Sequence, residues 1–352
     1  MPKQPICFPA LVTSSLLCLC LLTASLPCQA GSSLDIPVRG YGLSFGNSSE
    51  FAGLRFNFSD RNVSHVQGIN VTLWIPKHND LARYDGLNLA LVGVEAQTIN
   101  GVNVCLIGTG SEELRGAFLN GIGLGTKRIQ GFGLGLIGIG CEDFDGVGLA
   151  GIGIGGKDMR GLFISGLGTG CRNLTGIGIA GLGIGGNDMT GLVVAGLGAG
   201  GNDFTGVGIG GLGFGGNDLA GIFLGGLGVG GNHCQGIAAG LIGVGGDDLE
   251  GLFLGGIGVG GDRITGLTAG LAGVGGDQLR GVHLAGGYLK AEELTGLATG
   301  AYTRVKVRQE GVTIGIFNYT RSLHGVQLGL LNYAGNNPKW LKLLPILNLH
   351  FD

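Results

Sequence analysis

Glycine occupies residues 86, 101, 116, 131, 146, 161, 176, 191, 206, 221, 236, 251, 266, 281, 296 and 311, an unbroken spacing of fifteen. A fixed short period of this kind makes each unit one supersecondary turn that cannot bury its apolar face alone, so the copies must stack. Counting each unit from that glycine, position 2 is apolar in every copy, from Leu87 through Ile177 to Val312. Position 4 is nearly as strict. Positions 7 and 9 follow in most copies, as in Leu182 and Ile184, and position 14 is apolar from Tyr84 to Leu294. Positions 12 and 13 carry chiefly Asn, Asp, Glu, Lys or Arg.

The apolar set 2, 4, 7, 9, 14 alternates within short pieces and slips by one between them, which is neither a helical period nor one long strand. It is a five-residue pattern used three times. Alternation places both apolar residues of a piece on one face. Glycine at 1, 6 or 11 lets the chain turn where a Cβ would collide. The unit 176–190 is therefore expected to turn Ile177, Ile179, Leu182, Ile184 and Met189 inward, making one triangular coil. Coils stacked about 4.8 Å apart give an all-β solenoid roughly 75 Å long. Position 3 alternates large and small residues, as in Phe163, Gly178, Val193, Gly208, Phe223, Ala238 and Phe253. A bulky ring above a small residue suits stacked coils, and up-and-down strands would give the same alternation.

The alternative fold is an up-and-down outer-membrane β-barrel, with strands of about ten residues joined by GGND turns. The closing LNLHFD, where Leu347, Leu349 and Phe351 alternate, suits a last barrel strand. Residues 189–199 read as one strand carry apolar side chains on both faces, whereas a barrel strand alternates apolar-out with polar-in. That favours the solenoid. No apolar stretch in the array reaches the roughly twenty residues of a transmembrane helix.

Composition narrows the function classes. With 80 glycines in 352 residues but only eight prolines, the chain is not collagen-like, and its 13% charged residues argue against a solvated disordered polymer. The formal charge of −3 offers no basic face for nucleic acid. Residues 1–30 combine Lys3, an apolar run around LLCLCLL and a small-residue ending CQA, the pattern of a secretory signal peptide cleaved after Ala30. Cys28 is the competing lipidation site, although Pro27 before it fits that motif poorly. Residues 31–80 read as an N-terminal β cap, 81–311 as the repeat array, and 312–352 as a C-terminal β cap, since terminal units must block edge pairing. Trp74, Trp340 and Lys342 lie in these end segments, where capping is the plainest role.

At GVQLGLLNYA (325–334), and at the repeated GIGIAGLGIGG and GLVVAGLGAGG units, the chain resembles bacterial surface-repeat proteins built of GVQIG- and GLxN-type units. The resemblance covers most of residues 50–340. It implies an exported or lipidated cell-envelope protein with no catalytic residues to carry over. Glycine replaces the polar Gln or Asn of that pattern at positions such as Gly178 and Gly183, which bears on any surface recognition those columns carry.

Three kinds of candidate site can be weighed. Gly-x-Gly-x-x-Gly-like strings recur throughout, but a dinucleotide site also needs a following helix N-terminus and a distant acidic residue, so no nucleotide is expected. A corner column of carboxylates, with Asp188, Asp203, Asp218 and Asp248 at its centre, is the candidate for Ca²⁺, since stacked like charges repel and a divalent ion would relieve them. The competing reading is a solvated Asn/Asp turn. Six histidines (65, 78, 233, 283, 324, 350) and the four cysteines beyond the leader (105, 141, 171, 234) form no metal-ligand or nucleophile spacing. The expectation is an exported envelope protein with a structural or interaction role and no catalysis, with envelope components or another protein as partner. Its alternatives are a barrel that conducts or anchors, and a Ca²⁺-stabilised solenoid acting on polysaccharide through paired carboxylates.

Overall fold

The computed structural model describes residues 33–351 apart from residue 39. The leader assigned to 1–30, with Cys28, lies outside the described residues. The described chain is a β-solenoid of about 17 turns with no helix, and it is not a barrel. Its strands run parallel, each residue pairing with its equivalent one unit on: Asp188 with Asp203, Gly191 with Gly206, Val194 with Ile209. A barrel of hairpins requires antiparallel neighbours.

Each coil has three corners. One is a two-residue bend at positions 6 and 7, between strands Asp188–Ala195 and Gly198–Gly210. A second lies at positions 11 and 12, where the strand breaks between Gly185 and Asp188. The third is the period-setting glycine itself, held at positive φ in every coil, for example 125° at Gly191. A Cβ on Gly191 would also lie 2.0 Å from the carbonyl oxygen of Gly176 in the coil before. Two independent constraints thus fix glycine at position 1.

The inward set differs from the sequence expectation. Ile184 and Met189 are buried, but Ile177, Ile179 and Leu182 are 39%, 37% and 45% exposed. The interior is built from positions 3, 5, 9 and 14, as in Phe163, Ala180, Ile184 and Met189. The physical reason lies in the alternation. It divides positions 2 to 5 into two faces, and position 5 is filled by Gly, Ala, Ser, Asn or Cys small enough to turn inside a fifteen-residue loop. Position 3 then supplies bulk. Phe204 and Phe214 lie edge to face at 5.0 Å, with Phe223 close to both. Gly208 makes room for them, since a Cβ there would sit 2.4 Å from the Phe214 ring. The large/small alternation along position 3 is therefore core packing between neighbouring coils.

Parallel stacking continues beyond 81–311 on both sides. Glu50–Asn57 pairs with His65–Thr72, which pairs with Arg83–Ala90 across a longer coil between Gly68 and Gly86. One antiparallel strand covers each end: Ser33–Val38 against Tyr41–Gly46, and Leu343–His350 against Gly325–Tyr333. Near the ends the interior turns polar. Asn70 donates to Asn88 and Asn88 to Asn103, each at 2.7 Å, and Asn318 donates to Asn332 at 2.7 Å. Gln327 of GVQLG is also fully buried. The Gln/Asn columns of the resembled repeat thus face inward here, and glycine at Gly178 changes core packing instead of surface recognition.

Candidate functional site

Turning positions 2, 4 and 7 outward makes one side of the coil and the bend beside it apolar. In the fourteen coils that begin at Gly86 and end with the coil of Gly281, positions 1 to 9 contain no Asp, Glu, Lys or Arg. Positions 2, 4, 6 and 7 of those coils hold only Leu, Ile, Val, Ala, Phe or Gly. Val102, Ile164, Ile209, Leu224 and Leu254 are among the exposed members. Grooves run lengthwise along this side between columns 4 and 6. One of about 870 Å³ extends over six coils from Ile209 to Gly286, and its walls are Leu, Ile, Ala and Gly. Others of about 510 Å³ and 710 Å³ continue the same line toward the two ends. A monomer rarely exposes one apolar patch beyond roughly 300–600 Å². Fourteen coils about 4.8 Å apart and a strip about five residues wide give on the order of 1,000 Å².

All charges of these coils fall at positions 10, 12, 13 and 15. In the first half they form a ladder of opposite charges between coils. Lys127 meets Glu112, Lys157 meets Glu142 at 3.1 Å, and Arg128 bridges Glu113 at 3.3 Å and Asp143 at 3.5 Å. Such exposed pairs contribute about 0–1 kcal/mol each, so their effect is mainly to keep the corner in water and in register.

The structure brings together three of the four carboxylates singled out for Ca²⁺. Asp188, Asp203 and Asp218 occupy successive coils in direct register. The Asp203 carboxyl is held above the usual carboxylate range, first by desolvation within the stack and then by the carboxylates of Asp218 and Asp188. Asp248 stands apart, separated from Asp218 by His233. It is paired to Arg263 and lies 3.1 Å from His233 Nδ1. Those partners lower its pKa, the Arg263 hydrogen bond foremost. Among the described residues no group of three or more His, Cys, Asp or Glu is arranged to hold a metal ion.

The remaining candidates are dispersed. The Gly-rich strings are strand and corner, with no helix after them to receive a phosphate. Cys105 and Cys234 are buried and Cys141 and Cys171 half-buried, and all four are free thiols. Burial pushes the Cys171 and Cys234 thiols up to about 11, and burial with Asp143 pushes Cys141 up to about 12. That is the reverse of an activated nucleophile. His283 lies in the core, hydrogen-bonded through Nδ1 to Thr268 Oγ1 at 2.9 Å. Trp74 is exposed and stacks on Phe58, and Trp340 is almost fully exposed.

Periodicity gave no signal for the polar node inside the first coils. Arg55 and Asp60 form a buried ion pair at 2.8 Å. Arg55 also donates to Asn70 at 2.8 Å, while Asp60 accepts from Asn57, Thr72 and Tyr84 at 2.7, 2.8 and 2.7 Å. Burial and the Asp60 carboxylate push the Tyr84 phenol well above its ordinary range. The node occupies the place that Phe and Leu fill in later coils. Comparison with protein-family models, curated proteins and solved structures returns no match.

Proposed function

We propose that this chain is an exported, non-catalytic repeat protein of the cell envelope that acts as a rigid scaffold and docks through its apolar side. The observation that carries the reading is the segregation of charge. Fourteen coils keep every Asp, Glu, Lys and Arg at positions 10 to 15 while columns 2, 4 and 7 expose aliphatic side chains. A rod that merely had to be soluble would scatter charge around its circumference. The leader-like residues 1–30 support export. A non-catalytic role is supported by thiols held protonated and by corner carboxylates that are solvated, stacked or paired to cations.

Fractionation of cells making the full chain tests this. The expected location is the envelope fraction, and recovery from the cytoplasm would overturn export. A second chain carries Ile179→Thr, Leu182→Ser, Ile209→Thr and Leu212→Ser, all on exposed apolar columns. It is expected to lose docking, seen as a smaller particle in gel filtration, while its circular dichroism spectrum is unchanged. An unchanged particle size in that folded variant would remove the apolar side from the account.

A further inference from the structure

The apolar side offers a polar ligand nothing to bond. Its side chains carry no donors or acceptors, and its backbone groups are already used between coils, as where Leu197 N–H donates to Leu182 at 2.8 Å. An ordinary protein interface carries about one hydrogen bond per 100–200 Å². A sugar, nucleic acid or polar peptide laid here would lose water without compensation. The occupant must be as apolar as the side itself.

Position 6 indicates which apolar body fits. Along the rod this column reads Leu91, Leu106, Gly121, Leu136, then glycine at 151, 166, 181, 196, 211 and 226, then Leu241, Gly256, Leu271, Gly286 and Ala301. The glycines are held by close contact, since a Cβ on Gly181 would lie 2.0 Å from the Gly166 carbonyl oxygen and one on Gly226 1.8 Å from that of Gly211. The leucines project. Leu106, Leu136, Leu241 and Leu271 are 61%, 63%, 76% and 80% exposed.

A second copy turned end over end about a twofold axis at Gly196 lays column 6 on column 6 in reverse order. Leu106 then faces Gly286 of the second copy, Leu136 faces Gly256, Leu241 faces Gly151, and Leu271 faces Gly121. Leu91 faces Ala301. Every projecting leucine meets a small residue, and the aliphatic columns 2, 4 and 7 meet their own kind. An acyl chain or a bilayer has no register and is indifferent to where along column 6 the leucines fall. Contact area suffices too, because on the order of 1,000 Å² per copy exceeds the about 800 Å² per partner of a standard stable interface. We propose that the apolar side is a self-docking surface that joins two copies antiparallel about a twofold axis through the coil of Gly196. The inference rests on reading that side as a docking face, and it names the partner.

Site-directed cross-linking tests the geometry. Facing sheets lie about 10 Å apart, beyond disulfide reach, so a short bismaleimide is the reagent. The unmodified protein serves as control for its own thiols, of which Cys141, Cys171 and Cys234 are kept protonated by burial. Val194→Cys and Leu197→Cys lie on the axis and each is expected to give covalent dimers alone. Val104→Cys and Leu284→Cys lie off it, and each alone is expected to give none while their mixture does. Dimers from Val104→Cys alone would mean parallel pairing and overturn the proposal. So would a monomeric mass on the order of 10 µM protein, or a monomer that instead binds vesicles of phosphatidylethanolamine and phosphatidylglycerol through this side. Leu136→Asp with Leu241→Asp, both exposed in the single rod, is expected to weaken the dimer at least about 100-fold by burying unpaired charge. Its circular dichroism spectrum is expected to be unchanged. Envelope retention in a monomeric protein would overturn self-docking and leave the scaffold reading standing, whereas dimers in a protein recovered from the cytoplasm would do the reverse.

Discussion

Single residues in this rod carry constraints that composition conceals. Gly191 is one of a column in which both φ and the neighbouring carbonyl forbid a side chain. Gly191→Ala is expected to cost at least about 2 kcal/mol, seen as a lower urea midpoint. A midpoint within error of the unmodified protein would contradict the corner geometry. His283 makes the second case. Burial depresses its pKa to about 4, from an ordinary value of 6.5. The unfolded chain therefore takes up the proton first as pH falls. Its contribution is complete above about pH 6.5 and is lost toward pH 4, at most about 3 kcal/mol. Melting midpoints are expected to fall across that window, and the fall is expected to shrink in His283→Gln. An identical pH profile in the variant would show that other groups carry it. In the first coils, Arg55→Met leaves Asp60 charged and buried, and is expected to cost about 3–5 kcal/mol. At the surface, Asp203→Asn removes a charge repelled by Asp188 and Asp218, so a raised melting midpoint is expected at low salt, shrinking as salt screens the stack.

At the scale of the coil, stability is expected to be nearly a sum of equivalent units and their interfaces. Deleting residues 191–205 removes one period and keeps every column in line, so a folded protein with a modestly lowered midpoint is expected. Deleting 191–204 leaves the register one residue out and is expected to unfold the rod or trap it in aggregates. The coil is also where sequence reading succeeded and failed. Sixteen glycines in step made the solenoid legible, because only stacking satisfies such a period. The identity of the inner face was not legible, because Ile177 and Ile179 are larger and more regular than Gly178 and Ala180 beside them. Hydrophobic alternation separates two faces, and the usual assumption that the greasier one is inside fails where a narrow coil has room at positions 3 and 5 chiefly for small residues and an occasional Phe. The paired substitutions Ile179→Glu and Ile184→Glu decide this directly. The first is expected to stay folded, and the second to unfold. The candidate corner was legible as a column of carboxylates, but its division into Asp188, Asp203 and Asp218 on one side and the His233, Asp248 and Arg263 set on the other emerged only from register. The Arg55–Asp60 node had no periodic signal at all.

Considered whole, the molecule has a wet corner, an apolar side, and two ends that differ from both. The antiparallel strands Ser33–Val38 and Leu343–His350 lie across the first and last coils. Open coil ends would present unpaired strand edges to the next molecule. With an antiparallel strand at each end, the parallel stacking of coils stops there, and the reach of the protein becomes a counted quantity. Gain or loss of one repeat in the gene changes it by about 4.8 Å. Such a molecule behaves as a ruler whose divisions are written in the DNA.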